Sequence, residues 1–211
     1  MLTWGFAMKA IRNLLALIGL VTVLGGGYLL NKAWPTVSEL WPVASKVDFR
    51  EFDPGFVEVY TQFTKRLLQS KDPGVAMMYS LPVEEGLEAE EVQESLKSLA
   101  TSRNFLFVGE SPFYKQVEAI TGEPYRYINF LSFCDARVGK MMADYRDAYT
   151  GFMPCRIAIV EDLQGVLWLH TMNLDLMIHG GKALPPELKE EALRVWQTIK
   201  DIMAGAAKGE F

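Results

Sequence analysis

From Asn13 to Asn31 the chain carries no charged side chain, and this run constrains the molecule more than any other stretch. The segment "MKAIRNLLALIGLVTVLGGGYLLNKAW" opens on Lys9 and Arg12 and then stays apolar. A spanning helix needs about 20 mostly apolar residues, and Ala10 to Leu30 supplies nearly that, with Arg12 placed to snorkel. Gly25, Gly26 and Gly27 would weaken a helix in water but are tolerated in lipid, where they let a second helix approach. Trp4, Trp34 and Trp41 bracket the run, where aromatic side chains favour the membrane–water interface.

Two other readings fit the run less well. A cleaved signal peptide needs a small-x-small site after a shorter apolar region, and Asn31-Lys32-Ala33-Trp34-Pro35 does not offer one. A buried core helix is rarely this free of polar residues. Residues 1–32 therefore read as an uncleaved transmembrane signal anchor. Residues 33–53, with Pro35 and Pro42, read as a juxtamembrane linker, and 54–211 as one soluble domain. Lys9 and Arg12 precede the span, so the positive-inside bias leaves the N-terminus in the cytoplasm and the domain in the periplasm of a Gram-negative cell, on a single pass of the inner membrane.

The soluble part is long enough for a single sizeable core. The chain's formal net charge of -5, with no Lys/Arg-rich run, argues against a phosphate-backbone partner and so against nucleic acid. Asp53-Pro54 reads as a helix start, and Phe56, Val59, Tyr60, Phe63 and Leu67 recur at helical spacing up to Gln69. Val75 to Val83 reads as a strand, Glu88 to Ser102 as a helix and "NFLFVGE" as a strand. Ser111-Pro112 opens a helix that Thr121-Gly122 ends. Tyr125 to Phe133 alternates as a strand does, and a helix follows from about Asp135 to Tyr149. Cys155 to Glu161 and Val166 to Met172, joined by "DLQG", read as a β-hairpin. Glu187 to Ala206 is a helix with Leu188, Leu193, Trp196, Ile199 and Ile202 on its inner face. The expected fold class is α+β, a mixed β-sheet covered by helices.

Three stretches together carry a family resemblance. They are "PVEEGLEAEEVQESLKSLATSRNFLFVGE", "INFLSFCDARVGKMM" and "FMPCRIAIVEDLQGVLWLHTMN". In this order they resemble domain of unknown function family 302 over about Val75 to Asn173, with the C-terminal stretch similar to a membrane-anchored subgroup. The resemblance implies an α+β fold, a bacterial source and a dimer. It implies no reaction, since the family has no established activity; anchored members are associated with sulfur-oxidising bacteria. Asp135 stands where the family more often has Asn.

Cys134 and Cys155 are the only cysteines and the candidate thiols. A reactive thiol needs a cation or a helix N-terminus to lower its pKa. Cys134 precedes a helix start and Cys155 adjoins Arg156, so Asp135 and Arg156 are the candidate ligand-contacting residues. Against this, free cysteine is often a small buried hydrophobe. The two are expected not to form a disulfide, because a strand–helix–strand unit gives parallel neighbours and would put them at opposite edges of the sheet. His170, His179 and Met177, with Met172, form a set suited to copper or haem iron. The ordinary reading comes first: His170 ends a strand, and Met172 and Met177 fill gaps between helix and sheet. There is no Cys-x-x-Cys-His, P-loop, Gly-x-Ser-x-Gly or His-Glu-x-x-His motif.

The leading expectation is a non-catalytic, membrane-anchored periplasmic binding or accessory protein, a homo-oligomer or a subunit of a membrane complex, with no cofactor. Two alternatives stay open. One is a thiol-dependent redox or sulfur-handling enzyme, and the other a metal- or haem-binding electron-transfer module.

Overall fold

The structure, a computed structural model, describes residues 19, 22, 23, 25–28 and 31–211. The expected span Ala10–Leu30 lies for the most part outside them. Among the described residues no helix is long and apolar enough to cross a membrane. The chain divides into two units, Met1–Arg50 and Glu51–Phe211.

In the first unit residues 31–44 are helical (α1), within and just before the stretch 33–53 read as a juxtamembrane linker. Pro35 and Pro42 sit within α1, and the Ser38 hydroxyl donates to the Pro35 carbonyl at 2.9 Å. Trp34, Val37, Leu40 and Trp41 are all exposed.

In the second unit the elements follow in order. These are α2 (Phe56–Ser70), α3 (Pro73–Met77), β1 (Met78–Pro82), α4 (Ala89–Ser102), β2 (Leu106–Ser111), α5 (Phe113–Thr121), β3 (Ile128–Cys134), α6 (Ala136–Tyr145), a 3-10 segment (Asp147–Phe152), β4 (Cys155–Glu161), β5 (Leu167–Met172), α7 (Asp175–His179) and α8 (Pro186–Ala206). The strands form one sheet in the order β1-β5-β4-β3-β2. Alternation decides which side chains face the core. Leu131 and Phe133 of β3, Ile157 and Ile159 of β4 and Leu169 of β5 point to the same buried face. Val92, Leu96 and Leu99 of α4 and Leu188, Ala192, Trp196, Ile199 and Met203 of α8 close over it. Gly205 permits the close approach of α8 to α4: a Cβ there would stand 2.8 Å from Leu99 Cδ1.

The sheet is antiparallel at each of its pairings, which corrects the expected mixed sheet. The β3-to-β4 connection was expected to be a parallel crossover. Instead α6 packs on α8 and on the 3-10 segment, which brings the chain back beside the end of β3. Cys155 therefore pairs with Phe133, next to Cys134. The two cysteines are near neighbours across a strand pair, so the reason given for their not pairing fails, although both are free.

The hairpin β4–β5 has the expected form. Asp162 Oδ1 accepts the Gln164 and Val166 N–H groups at 2.8 and 3.0 Å, and Gly165 takes φ of 81°. Two short helices differ from expectation. Asp72 Oδ1 accepts the Gly74 and Val75 N–H groups and starts α3 at Pro73, so β1 begins at Met78 rather than Val75. The segment after β5 folds into α7.

Candidate functional site

The best-formed site lies at the start of α2, away from both cysteines. Asp53-Pro54 does not cap α2 directly, since the helix begins at Phe56 behind Gly55. Asp53 Oδ1 instead accepts the Gly55 N–H at 2.8 Å, an Asx turn that leaves the carboxylate facing inward. There it meets His179 Nδ1 at 2.9 Å, from the last residue of α7, and Lys189 Nζ, from the first turns of α8. Gly55 eases this approach: a Cβ would lie a tight 3.1 Å from His179 Nδ1 and 3.2 Å from Asp53 Oδ1.

The Asp53 side chain has no solvent exposure. Burial alone would raise its pKa. The hydrogen bonds from Lys189, His179 and the Gly55 N–H outweigh burial and hold it at about 2. The group is thus a carboxylate that only accepts, so His179 Nδ1 donates to it and Nε2 is the ring nitrogen that Asp53 does not engage.

The His179 ring lines a cavity of about 310 Å³ between α2, α3 and α7. Val59, Phe63, Ala76, Met77 and Leu176 form its apolar wall, while Glu58, Gln62, Arg66, Asn173 and Asp175 add polar groups. Several of these are held in place: Gln62 Nε2 donates to Glu58 Oε1 at 2.7 Å, and Trp196 Nε1 to Asp175 Oδ1 at 2.9 Å. None of the described lining residues is Ser, Thr or Cys, so among them the cavity offers a fixed imidazole and no side-chain nucleophile of the hydroxyl or thiol kind.

The other sequence-selected residues are dispersed. His170 is on the opposite sheet face from the core, where Nδ1 is 2.7 Å from Ser80 Oγ and the ring stacks on Trp168; burial lowers its pKa. Met177 lines a different cavity from His179. The structure therefore does not gather His170, His179 and Met177 around one point. No cluster of three His, Cys, Asp or Glu side chains occurs among the described residues.

Asp135 is the N-cap of α6, accepting the Arg137 and Val138 N–H groups and pairing with Arg194. Burial raises its pKa, but Arg194 and those two amides hold it below the ordinary carboxylate value. Arg156 is exposed and lies 5.2 Å over the Phe130 ring, so it serves neither cysteine. Burial, and then Asp135, raises the Cys134 thiol; burial, and then Cys134, pushes Cys155 up to about 11. Both thiols keep their protons at neutral pH, the reverse of what a thiolate nucleophile requires.

Asp53 was legible only as a helix start, and Lys189 as an ordinary charged residue. The signal available was Asp-Pro-Gly, a turn that can aim a carboxylate. Nothing local connected it with residues more than a hundred positions away.

Residues 79–206 match the family described as Domain of unknown function DUF302. The matched stretch reaches through α8, beyond the Val75–Asn173 of the sequence resemblance, and the α2 and α3 walls of the cavity precede it. Among solved structures, the crystal structure of an uncharacterized conserved protein DUF302 from Bacillus stearothermophilus is similar. The TM-score is 0.51 at 14% identity, covering 61% of this chain and 96% of that one. At that identity the likeness concerns the fold alone. None of the curated proteins matches the chain.

Proposed function

The chain belongs to the DUF302 family, and from that premise we propose that it is a membrane-anchored binding protein in which an added segment, α2 and α3, completes a small-ligand cavity on the family's sheet-and-helix frame. The observation that carries this reading is the His179 imidazole, fixed by a buried carboxylate in the wall of the 310 Å³ cavity. Small-molecule sites are concave and mostly apolar with a few placed polar groups. This cavity has that composition. The ligand is small and largely apolar, with one hydroxyl or amide proton for His179 Nε2 to accept.

The anchor rests on the uncharged run from Asn13 to Asn31 after Lys9 and Arg12, and on the exposed Trp34 and Trp41 of α1, which suit a membrane interface. With Lys9 and Arg12 before the run, the positive-inside bias supports a periplasmic domain. The test is native mass spectrometry of the full chain purified in mild detergent. A low-mass adduct present on the parent and absent from His179→Gln and Met77→Trp supports the reading. An adduct that survives both substitutions, or none on the parent, refutes it. A cytoplasm-active reporter fused after Phe211 is expected to stay silent, and signal from it reverses the compartment.

A further inference from the structure

Cys134, Met142, Met153 and Met177 come from β3, α6, the loop after the 3-10 segment and α7, yet they line one cavity of about 50 Å³. Its floor is Gly139 of α6. A Cβ on Gly139 would lie 3.2 Å from Met153 Sδ and 3.5 Å from Cys134 Sγ, so both sulfurs pack against this glycine in the cavity wall. Methionine ordinarily closes such gaps, being flexible and polarizable. Here three methionines surround one and leave it open. Gly139 also stands inside a helix, where it costs about 1 kcal/mol against alanine, and its missing Cβ lets the two sulfurs come close together against α6.

We propose that this cavity is a binding site for a soft monovalent metal ion, Cu(I), with Cys134 as its thiolate ligand and Met153 and Met177 as thioether ligands. Thiolate and thioether sulfur select Cu(I) over the hard cations, which take carboxylate and water. The carboxylate among the described lining residues, Asp135, is committed to Arg194 and the α6 amides. A water needs roughly 10–15 Å³, so a dehydrated ion fits with room for the thioethers to close on it. On binding, the Cu–S bond forms as the Cys134 S–H bond breaks. The proton leaves to solvent and copper stays Cu(I). The site is separate from the His179 cavity and does not depend on the ligand proposed there.

The test uses the full chain in detergent under anaerobic conditions, titrated with Cu(I) against the competitor bicinchoninate, and with Ag(I) as a redox-inert probe. One ion per chain is expected, with only sulfur neighbours in X-ray absorption. Cys134→Ser is expected to abolish retention, and Met153→Leu and Met177→Leu each to weaken it about tenfold. Met-to-Leu changes conserve volume, and thermal melts of the metal-free variants check that they fold. Cys155→Ser and His179→Gln are expected to bind as the parent does. Parent-like retention by folded Cys134→Ser, Met153→Leu or Met177→Leu overturns the proposal. So does no retained ion on the parent, or nitrogen in the copper shell.

Discussion

Replacing Asp53 with asparagine keeps the shape of the side chain and removes its charge from a position with no solvent exposure. Its pKa of about 2, against an ordinary 3.8, records how much better the folded state holds the ionised form. A shift of this size corresponds to about 2–3 kcal/mol, at roughly 1.4 kcal/mol per pKa unit. The substitution also strands the Lys189 ammonium and points an amide at donors. Removing one member of a fully buried pair costs about 3–5 kcal/mol. Lys189 and His179 retain 27% and 24% side-chain exposure, so water softens that loss. The expected destabilisation near pH 7 is therefore about 2–3 kcal/mol, or a melting temperature roughly 5–10 °C lower for a unit of this size.

The sign with pH follows from the depressed folded value. The stabilisation is complete above the unfolded pKa and lost as pH falls through the folded one. The gap between parent and Asp53→Asn should be constant from pH 5 to 8 and close as pH drops from 4 toward 2. Urea unfolding of the full chain, followed by tryptophan fluorescence across that series, measures it. Equal midpoints at pH 7, or a gap undiminished at the acid end, would falsify the role given to Asp53.

Three further outcomes are expected. Asp135→Ala removes the α6 cap and the Arg194 partner, lowering stability by about 1 kcal/mol, seen as a reduced urea midpoint; an unchanged midpoint refutes the capping role. Ile159→Ala, in the fully buried centre of the sheet, should cost about 2–5 kcal/mol, while Arg156→Ala on the exposed face stays within about 0.5 kcal/mol; comparable losses would contradict the assigned sheet faces. Because Cys155 sits at about 11 and Cys134 is also raised, iodoacetamide should label the native chain slowly at pH 7 and faster as pH rises; stoichiometric labelling within minutes at pH 6.5 would show an activated thiolate.

Sequence alone determined the local elements wherever period and punctuation agreed. The β4–β5 hairpin follows from two apolar runs around Asp162 and Gly165, and α8 from the spacing of Leu188, Trp196, Ile199 and Ile202 after Pro185 and Pro186. These signals are carried by residues within one or two turns of each other. The family was legible for the same reason, being a succession of such local patterns. Strand direction was not. A strand–helix–strand pattern is compatible with either direction, and the packing of α6 on α8 decided it, returning the chain beside the end of β3. The two cavities depend on tertiary structure even more. Asp53 meets His179 and Lys189, and Cys134, Met153 and Met177 come to line one cavity, only after the sheet and α8 have closed. Each of those residues alone has a mundane reading, as a helix start, a strand end or a core filler. Their chemistry belongs to contacts between distant segments, and periodicity carries no information about which distant segments will touch.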